Sequence, residues 1–241
     1  MKISIIIPAY NEEKRIEKTM RAYHQFFSEK QQQAPLSFEL IIVLNGCKDN
    51  TIGVVQKVRS ELTPNIIIID IPQAGKGLAI KAGFADALIR DNDLIGFVDA
   101  DMATAPQAFY ELTQIQDKID GVIASRYMPG AQITPPRPAY KRWGSRIIYE
   151  PFVWLLFGLH YYDLQCGAKI FKRAVIEKIT PQLTVAQWAF DVELLYLCKI
   201  AGYTIIETPT VWHDQADSKL TLRGGLRMFS ALFKVWWQHL F

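Results

Sequence analysis

The sequence predicts an α/β fold with a mostly parallel central sheet, on three observations. Apolar or β-branched runs alternate with helical patterns four times before residue 105, with short connections between them. The fourth run, Leu94 to Val98, ends abruptly in Asp99-Ala100-Asp101, at the carboxyl end of a strand, where open α/β sheets hold their ligands. Half of the 241 residues are hydrophobic, enough to bury a full core.

Each element has its own signal. Ile3 to Ile7 is a β-branched run stopped by Pro8, and a helical pattern follows through Ile16, Met20, Tyr23 and Phe27. Glu12, Glu13 and Glu17 suit the start of that helix through its dipole. Gln31 to Pro35 reads as a loop, Phe38 to Leu44 as the second strand, and Asn45 to Thr51 as a turn with a helix start at its far end. Ile66 to Ile71 is the third strand, leading into Gly75-Lys76-Gly77 and a helix with Leu78, Ala82, Ala85 and Leu88 on one side. Gly121 to Ser125 is a further buried strand, and Met128 to Pro138 a loop punctuated by Pro and Gly. Tyr140 to Leu159 is expected as an amphipathic helix with Arg142 and Arg146 on one face. Asp163 to Phe171 has no clean period. Trp188 to Leu195 opens a helix with Asp191 among apolar neighbours, and Tyr203 to Glu207 is a strand.

From Leu222 to the end, Leu222, Leu226, Phe229, Phe233, Trp236 and Leu240 recur at helical spacing, with Arg223, Arg227 and Lys234 elsewhere on the wheel. Such a helix can lie in a membrane interface or dock on the core. The expected organisation is one domain over 1–221, with a nucleotide half to 105 and an acceptor half from 106, followed by a C-terminal amphipathic helix over 222–241.

The chemistry-bearing stretches are three. Asp99 and Asp101 are hard oxygen ligands suited to Mg²⁺ or Mn²⁺, ions that keep open positions for substrate phosphates; a polar turn with Asp101 capping a helix near Pro106 is the plain alternative. Gly-Lys-Gly at a helix start can set a cation and backbone N–H groups against a phosphate, or be only a tight turn. Gly121 to Tyr149 carries Arg126, Arg137, Lys141, Arg142 and Arg146 with no acid, a candidate phosphate site or a solvated face.

Composition narrows the rest. Residues 1–120 carry 13 Lys and Arg against 16 Asp and Glu, residues 121–241 carry 14 against 8; so local an imbalance argues against nucleic acid. Three widely spaced cysteines without Cys-x-x-Cys pairing fit a reducing, cytoplasmic setting. The first residues read as a strand rather than a leader. The longest apolar run, Phe152 to Leu159, is too short to span a bilayer.

Taken together, the stretches Pro8-Ala9-Tyr10-Asn11-Glu12, Gly75-Lys76-Gly77, Asp99-Ala100-Asp101 with Ala103-Thr104, Ser125-Arg126, Arg142, Asp163 to Gly167 with Lys169-Ile170-Phe171, Trp188 to Leu195 and Ser218-Lys219-Leu220 resemble the family 2 glycosyltransferases of the nucleotide-sugar-binding GT-A fold. Within that family they look most like the dolichyl-phosphate β-glucosyltransferases. Ala103, where mannose-transferring relatives carry Gln, leans toward glucose. The resemblance implies an inverting transfer of a hexose, glucose from UDP-glucose, onto a polyprenyl phosphate at a peripheral membrane surface on its inner, cytoplasmic face.

By the same resemblance Asp99 and Asp101 hold Mg²⁺ or Mn²⁺. Pro8, Tyr10, Glu12, Asn45, Lys76 and Asp99 touch the donor, Arg126, Arg137, Arg142, Lys169 and Lys219 hold the acceptor phosphate, and Asp191 takes the position of the family's base. One departure is Leu44-Asn45-Gly46-Cys47 in place of Asp-Asp-Gly-Ser, which leaves the donor base open. A saccharide hydroxyl as acceptor and a non-catalytic nucleotide-sugar or membrane-binding module are the competing readings.

Overall fold

The computed structural model describes residues 1–62, 65–114, 117–135, 149–187, 189–213 and 222–238, with side chains for all of these except 222–229. Four strand–helix units come first: β1 (Lys2–Ala9), α1 (Ile16–Gln33), β2 (Ser37–Asn45), α2 (Thr51–Glu61), β3 (Ile66–Ile71), α3 (Lys76–Ala87), β4 (Leu94–Val98) and α4 (Pro106–Leu112). After them come β5 (Gly121–Ser125), β6 (Gln132–Thr134), α5 (Glu150–Phe157), β7 (Ala168–Lys172), α6 (Arg173–Ile179), α7 (Phe190–Ile200), β8 (Ile205–Pro209), β9 (Val211–His213) and α8 (Leu222–Gln238).

Seven strands form one sheet in the order β3-β2-β1-β4-β7-β5-β8. β1 pairs in parallel with β2 and β4, and β5 with β8, whereas β7 runs antiparallel between β4 and β5. Because side chains alternate across a strand, odd and even residues of β1 serve opposite faces. Ile6 joins Ile41, Val43, Phe84 and Phe97 in one core layer, while Ile3, Ile5 and Ile7 pack with Tyr23, Phe27, Leu40 and Ile42 in the other. Helices therefore cover both faces, as a sheet of continuous apolar strands requires.

Two stretches of the second half take their form from the fold. Asp163 to Phe171 lacks a period because it holds a turn and then β7, a strand buried on both faces that carries Lys169 as its second residue. The helix expected from Tyr140 is described only over Glu150–Phe157, where Gly158 in the left-handed conformation (φ 60°) ends it and Lys199 Nζ donates to the carbonyls of Phe157 and Gly158; residues 136–148 lie outside the described residues.

Candidate active site at the carboxyl ends of β1, β2 and β4

β4 delivers Asp99 and Asp101 at the sheet's carboxyl edge, beside the turns that follow β1, β2 and β3. The Asp99 N–H donates to Gly167 O at 3.1 Å, and its carboxylate lies flat on that glycine: a Cβ at Gly167 would stand 1.8 Å from Asp99 Oδ2. The Gln-Cys-Gly stretch thus owes its glycine to Asp99.

The carboxylate is paired from within the chain. Lys76, first residue of α3, places Nζ 2.7 Å from Asp99 Oδ1 in a partly exposed pair. Behind it, Lys169 is fully buried, with Nζ 2.5 Å from Asp191 Oδ1 and 2.8 Å from Cys166 O. Both ammonium groups lie over the Phe97 ring, at 5.8 Å and 5.4 Å from its centroid. Burial acts to lower the Lys76 ammonium, yet the carboxylates of Asp99 and then Asp191 outweigh it and its pKa rises.

The charges of these two pairs cancel, and Asp101 stands beyond them. Its Oδ1 accepts from the Ala103 N–H at 3.0 Å, a local turn in which the next residue, Met102, takes a positive φ of 61°. The helix that follows has Ala105 at its N-cap, so Asp101 is not a helix cap. Burial first and the Asp99 charge second hold its pKa above the ordinary carboxylate range. Burial and these two acids likewise raise the phenol of Tyr23, which donates to Thr104 O at 3.0 Å.

One residue missed in the sequence comes close. The His213 N–H donates to Ala103 O at 2.8 Å, and Trp212 bridges to Thr104, so β9 brings an imidazole-bearing residue beside the Asp101 turn. No spacing signal links positions so far apart.

Several expected ligand contacts take other partners. Arg126 forms a two-pronged pair with Asp163, Nε to Oδ2 at 2.6 Å and Nη2 to Oδ1 at 2.8 Å, and its guanidinium stacks 4.9 Å from the Trp212 centroid. The pair holds Asp163 low in spite of its burial, because Arg126 outweighs the desolvation. Arg126 and Lys169, both expected on the acceptor phosphate, thus each have a carboxylate partner inside the protein. Asn45 is also buried: Nδ2 donates to Ala9 O at 2.9 Å and Oδ1 accepts from Gly75 N–H at 3.1 Å. Its amide ties three turns together and is not presented to a base.

Glu12 receives Arg15 at 2.6 Å, Pro8 is half-buried before the fully buried Ala9 that ends β1, and Tyr10 just beyond is exposed. The N–H groups of Gly77 and Leu78 are taken by Ala186 O, so the Gly-Lys-Gly turn contributes its lysine rather than free amides. Arg137, Arg142 and Lys219 lie outside the described residues.

A doubly covered, mostly parallel sheet with an Asp-x-Asp pair and a lysine gathered at its carboxyl edge defines the GT-A class of glycosyltransferase folds. The chain belongs to the Glycosyl transferase family 2, whose model matches residues 4–180. It is 32% identical over 256 residues to the dolichyl-phosphate beta-glucosyltransferase of Drosophila melanogaster, covering 100% of this chain and 76% of that protein. To glycosyltransferase AglD of Haloferax volcanii it is 30% identical over 242 residues, 99% of this chain but only 37% of that longer protein.

Among solved structures it resembles mannosyl-3-phosphoglycerate synthase of Rubrobacter xylanophilus, with a TM-score of 0.70 at 16% identity over 100% of this chain and 74% of that one. It also resembles glucosyl-3-phosphoglycerate synthase of Mycobacterium tuberculosis, solved with Mn²⁺, UDP and phosphoglyceric acid, with a TM-score of 0.68 at 16% identity over 97% and 76%. At such identities the likeness speaks for the fold.

Proposed function

We propose that this chain is an inverting glycosyltransferase that moves glucose from UDP-glucose onto the phosphate of a dolichyl-type polyprenol. The observation that carries the phosphate acceptor is the Lys169–Asp191 pair. A general base must reach the acceptor proton, and Asp191 is buried and engaged by the Lys169 ammonium. A hydroxyl acceptor would depend on such a base. An alkyl phosphate, with a second pKa near ~6, already carries its negative charge at neutral pH. Arg137, Arg142 and Lys219 are assigned to that phosphate, since Arg126 and Lys169 are engaged elsewhere.

Asp101 and, beside it, Asp99 are the residues that would hold Mg²⁺ or Mn²⁺. Their chemistry fits: the carboxylates are hard oxygen donors, and Asp101, raised first by burial and then by the Asp99 charge, would gain from a cation beside it. Among the described residues no cluster of three or more His, Cys, Asp or Glu could hold an ion alone, so donor phosphate oxygens would complete the shell. Bound there, the ion supplies Lewis-acid stabilisation of the departing diphosphate. Lys76 orients Asp99 and adds a partly exposed cation to the donor side, a positioning role.

The acceptor's lipid tail implies work at a membrane surface, on its inner, cytoplasmic face. No helix of the described residues is long and apolar enough to cross a bilayer. α5 and α8 pack together and expose Trp154, Leu155, Phe233 and Trp237, side chains suited to the headgroup boundary.

The test supplies UDP-glucose or GDP-mannose with Mn²⁺, and dolichyl phosphate, unphosphorylated dolichol or an oligosaccharide as acceptor, and measures released nucleoside diphosphate and glycolipid. UDP-glucose with dolichyl phosphate is expected to be the productive pair. Turnover onto the oligosaccharide with an inert lipid phosphate would overturn the acceptor, and full activity in excess chelator would remove the metal.

A further inference from the structure

Glu193, in the first turn of α7, is fully buried. Its carboxylate reaches back to the strap that precedes the helix. Oε1 accepts from Thr184 N at 3.0 Å and Thr184 Oγ1 at 2.6 Å, and Oε2 from Thr184 N at 3.0 Å and Val185 N at 2.9 Å. Hydrogen bonds to an ionised acceptor are about twice as strong as neutral ones, so Thr184 and Val185 are held firmly.

The next carbonyl caps α3. Ala186 O accepts from Gly77 N at 2.9 Å and Leu78 N at 3.4 Å, two of the amides that a helix start leaves without partners. The approach is close: a Cβ on Gly77 would stand 2.3 Å from Val185 O, and one on Gly75 2.6 Å from Ala186 O. Gln187 Nε2 donates to Ala74 O at 3.1 Å, and Lys81 Nζ to Leu183 O at 2.5 Å. The strap therefore grips α3 on both sides of Lys76, whose Nζ meets Asp99.

We propose that Glu193 is a positioning residue of this enzyme: through the 183–187 strap it sets the backbone of Gly75-Lys76-Gly77, and so holds the Lys76 ammonium against Asp99 on the donor side. The inference rests on the reading of that side as the nucleotide-sugar site. Glu193 itself touches no substrate. Its effect falls on the donor and spares the acceptor.

Two measurements test this. In the first, lysine acylation read by mass spectrometry compares Lys76 with Lys169 in the wild type, in Glu193→Gln and in the milder Thr184→Val. The glutamine keeps the size but turns an amide toward the strap's N–H groups. Lys76 is expected to label several-fold faster in Glu193→Gln, less so in Thr184→Val, with Lys169 unchanged; unchanged Lys76 labelling overturns the proposal. This needs no substrate, so it stands apart from failure of the assigned activity.

In the second, steady-state kinetics vary UDP-glucose and dolichyl phosphate. Losing about one charge-assisted hydrogen bond predicts a donor KM raised roughly 10-fold, with acceptor KM changed less than about twofold. In a Lys76→Ala background, adding Glu193→Gln should produce less than about a twofold further change, because both act on one contact. Equal changes in both KM values, or full additivity with Lys76→Ala, overturns it. Should Glu193→Gln fail to fold, Thr184→Val and Gln187→Ala, both at exposed positions, decide by the same readouts.

Discussion

Replacing Lys169 with methionine removes a charge from the centre of the molecule while keeping the side chain's length. In the native protein the ammonium has no exposure, and its partner Asp191 has 5% side-chain exposure. The substitution leaves that buried carboxylate without its ion-pair partner. Breaking a buried pair from one side costs about 3–5 kcal/mol. For a chain of this length each kcal/mol moves Tm by about 2–4 °C, so melting should fall by roughly 6–20 °C. Removing both charges, as in Lys169→Met with Asp191→Leu, should recover most of the loss, since apolar replacement of a whole buried pair is often neutral or better.

Thermal melts by circular dichroism, with urea midpoints as a check, give the stabilities, and turnover at 25 °C gives the chemistry. Asp191→Asn is expected to keep activity within about tenfold, whereas removal of a true general base costs about 10²–10⁴-fold. A Lys169→Met protein melting within 2 °C (on the order of one kcal/mol or less) of the wild type would refute the pairing argument, and a loss beyond 10²-fold in a folded Asp191→Asn protein would make Asp191 the base after all.

Gly167→Ala should push the Asp99 carboxylate off its seat, because the new methyl would lie 1.8 Å from Oδ2; nucleoside diphosphate binding in Mn²⁺, followed by calorimetry, is expected to weaken by 10-fold or more (on the order of 1.4 kcal/mol) while the protein still folds. His24 packs edge-on to Phe38 at 5.8 Å, and burial lowers its pKa. Below pH ~6.5 the unfolded chain binds a proton that the native state resists. Its contribution is therefore present above that pH and lost as pH falls, so the urea midpoint should drop more between pH 7.5 and 5.5 in the wild type than in His24→Gln. Trp154→Ala combined with Trp237→Ala, both at half-exposed positions, should reduce binding to vesicles and activity on dolichyl phosphate in bilayers, leaving Tm within a few degrees and turnover of a short soluble acceptor intact.

Much of the frame is legible from local pattern. β1 to β4 and the helices between them announce themselves through runs such as Ile3-Ile7 and Ile66-Ile71 and through the helical spacing of Ile16, Met20, Tyr23 and Phe27. Periodicity is a property of neighbouring residues, and burying an apolar face is enough to define each element. β7 escapes this logic because Lys169, its second residue, breaks the apolar run, and only a partner across the fold makes that lysine tolerable in the interior. β6 and β9 are three residues each, too short to show a period.

The sequence by itself determined that two acids stand at the end of a buried strand, that Gly-Lys-Gly opens a helix and that a cationic stretch follows. It also carried the motifs of the family. Which charges meet was decided by tertiary structure alone. Lys76 finds Asp99 across two strand ends, Arg126 finds Asp163, Lys169 finds Asp191, and Asn45 turns inward to join Ala9 and Gly75. Each partner is distant in the chain, and Coulomb attraction in a low-dielectric interior acts on separation in space. Arg126 and Lys169, which the resemblance sets on a phosphate, have these internal counter-ions only because the sheet brings their carboxylates to them.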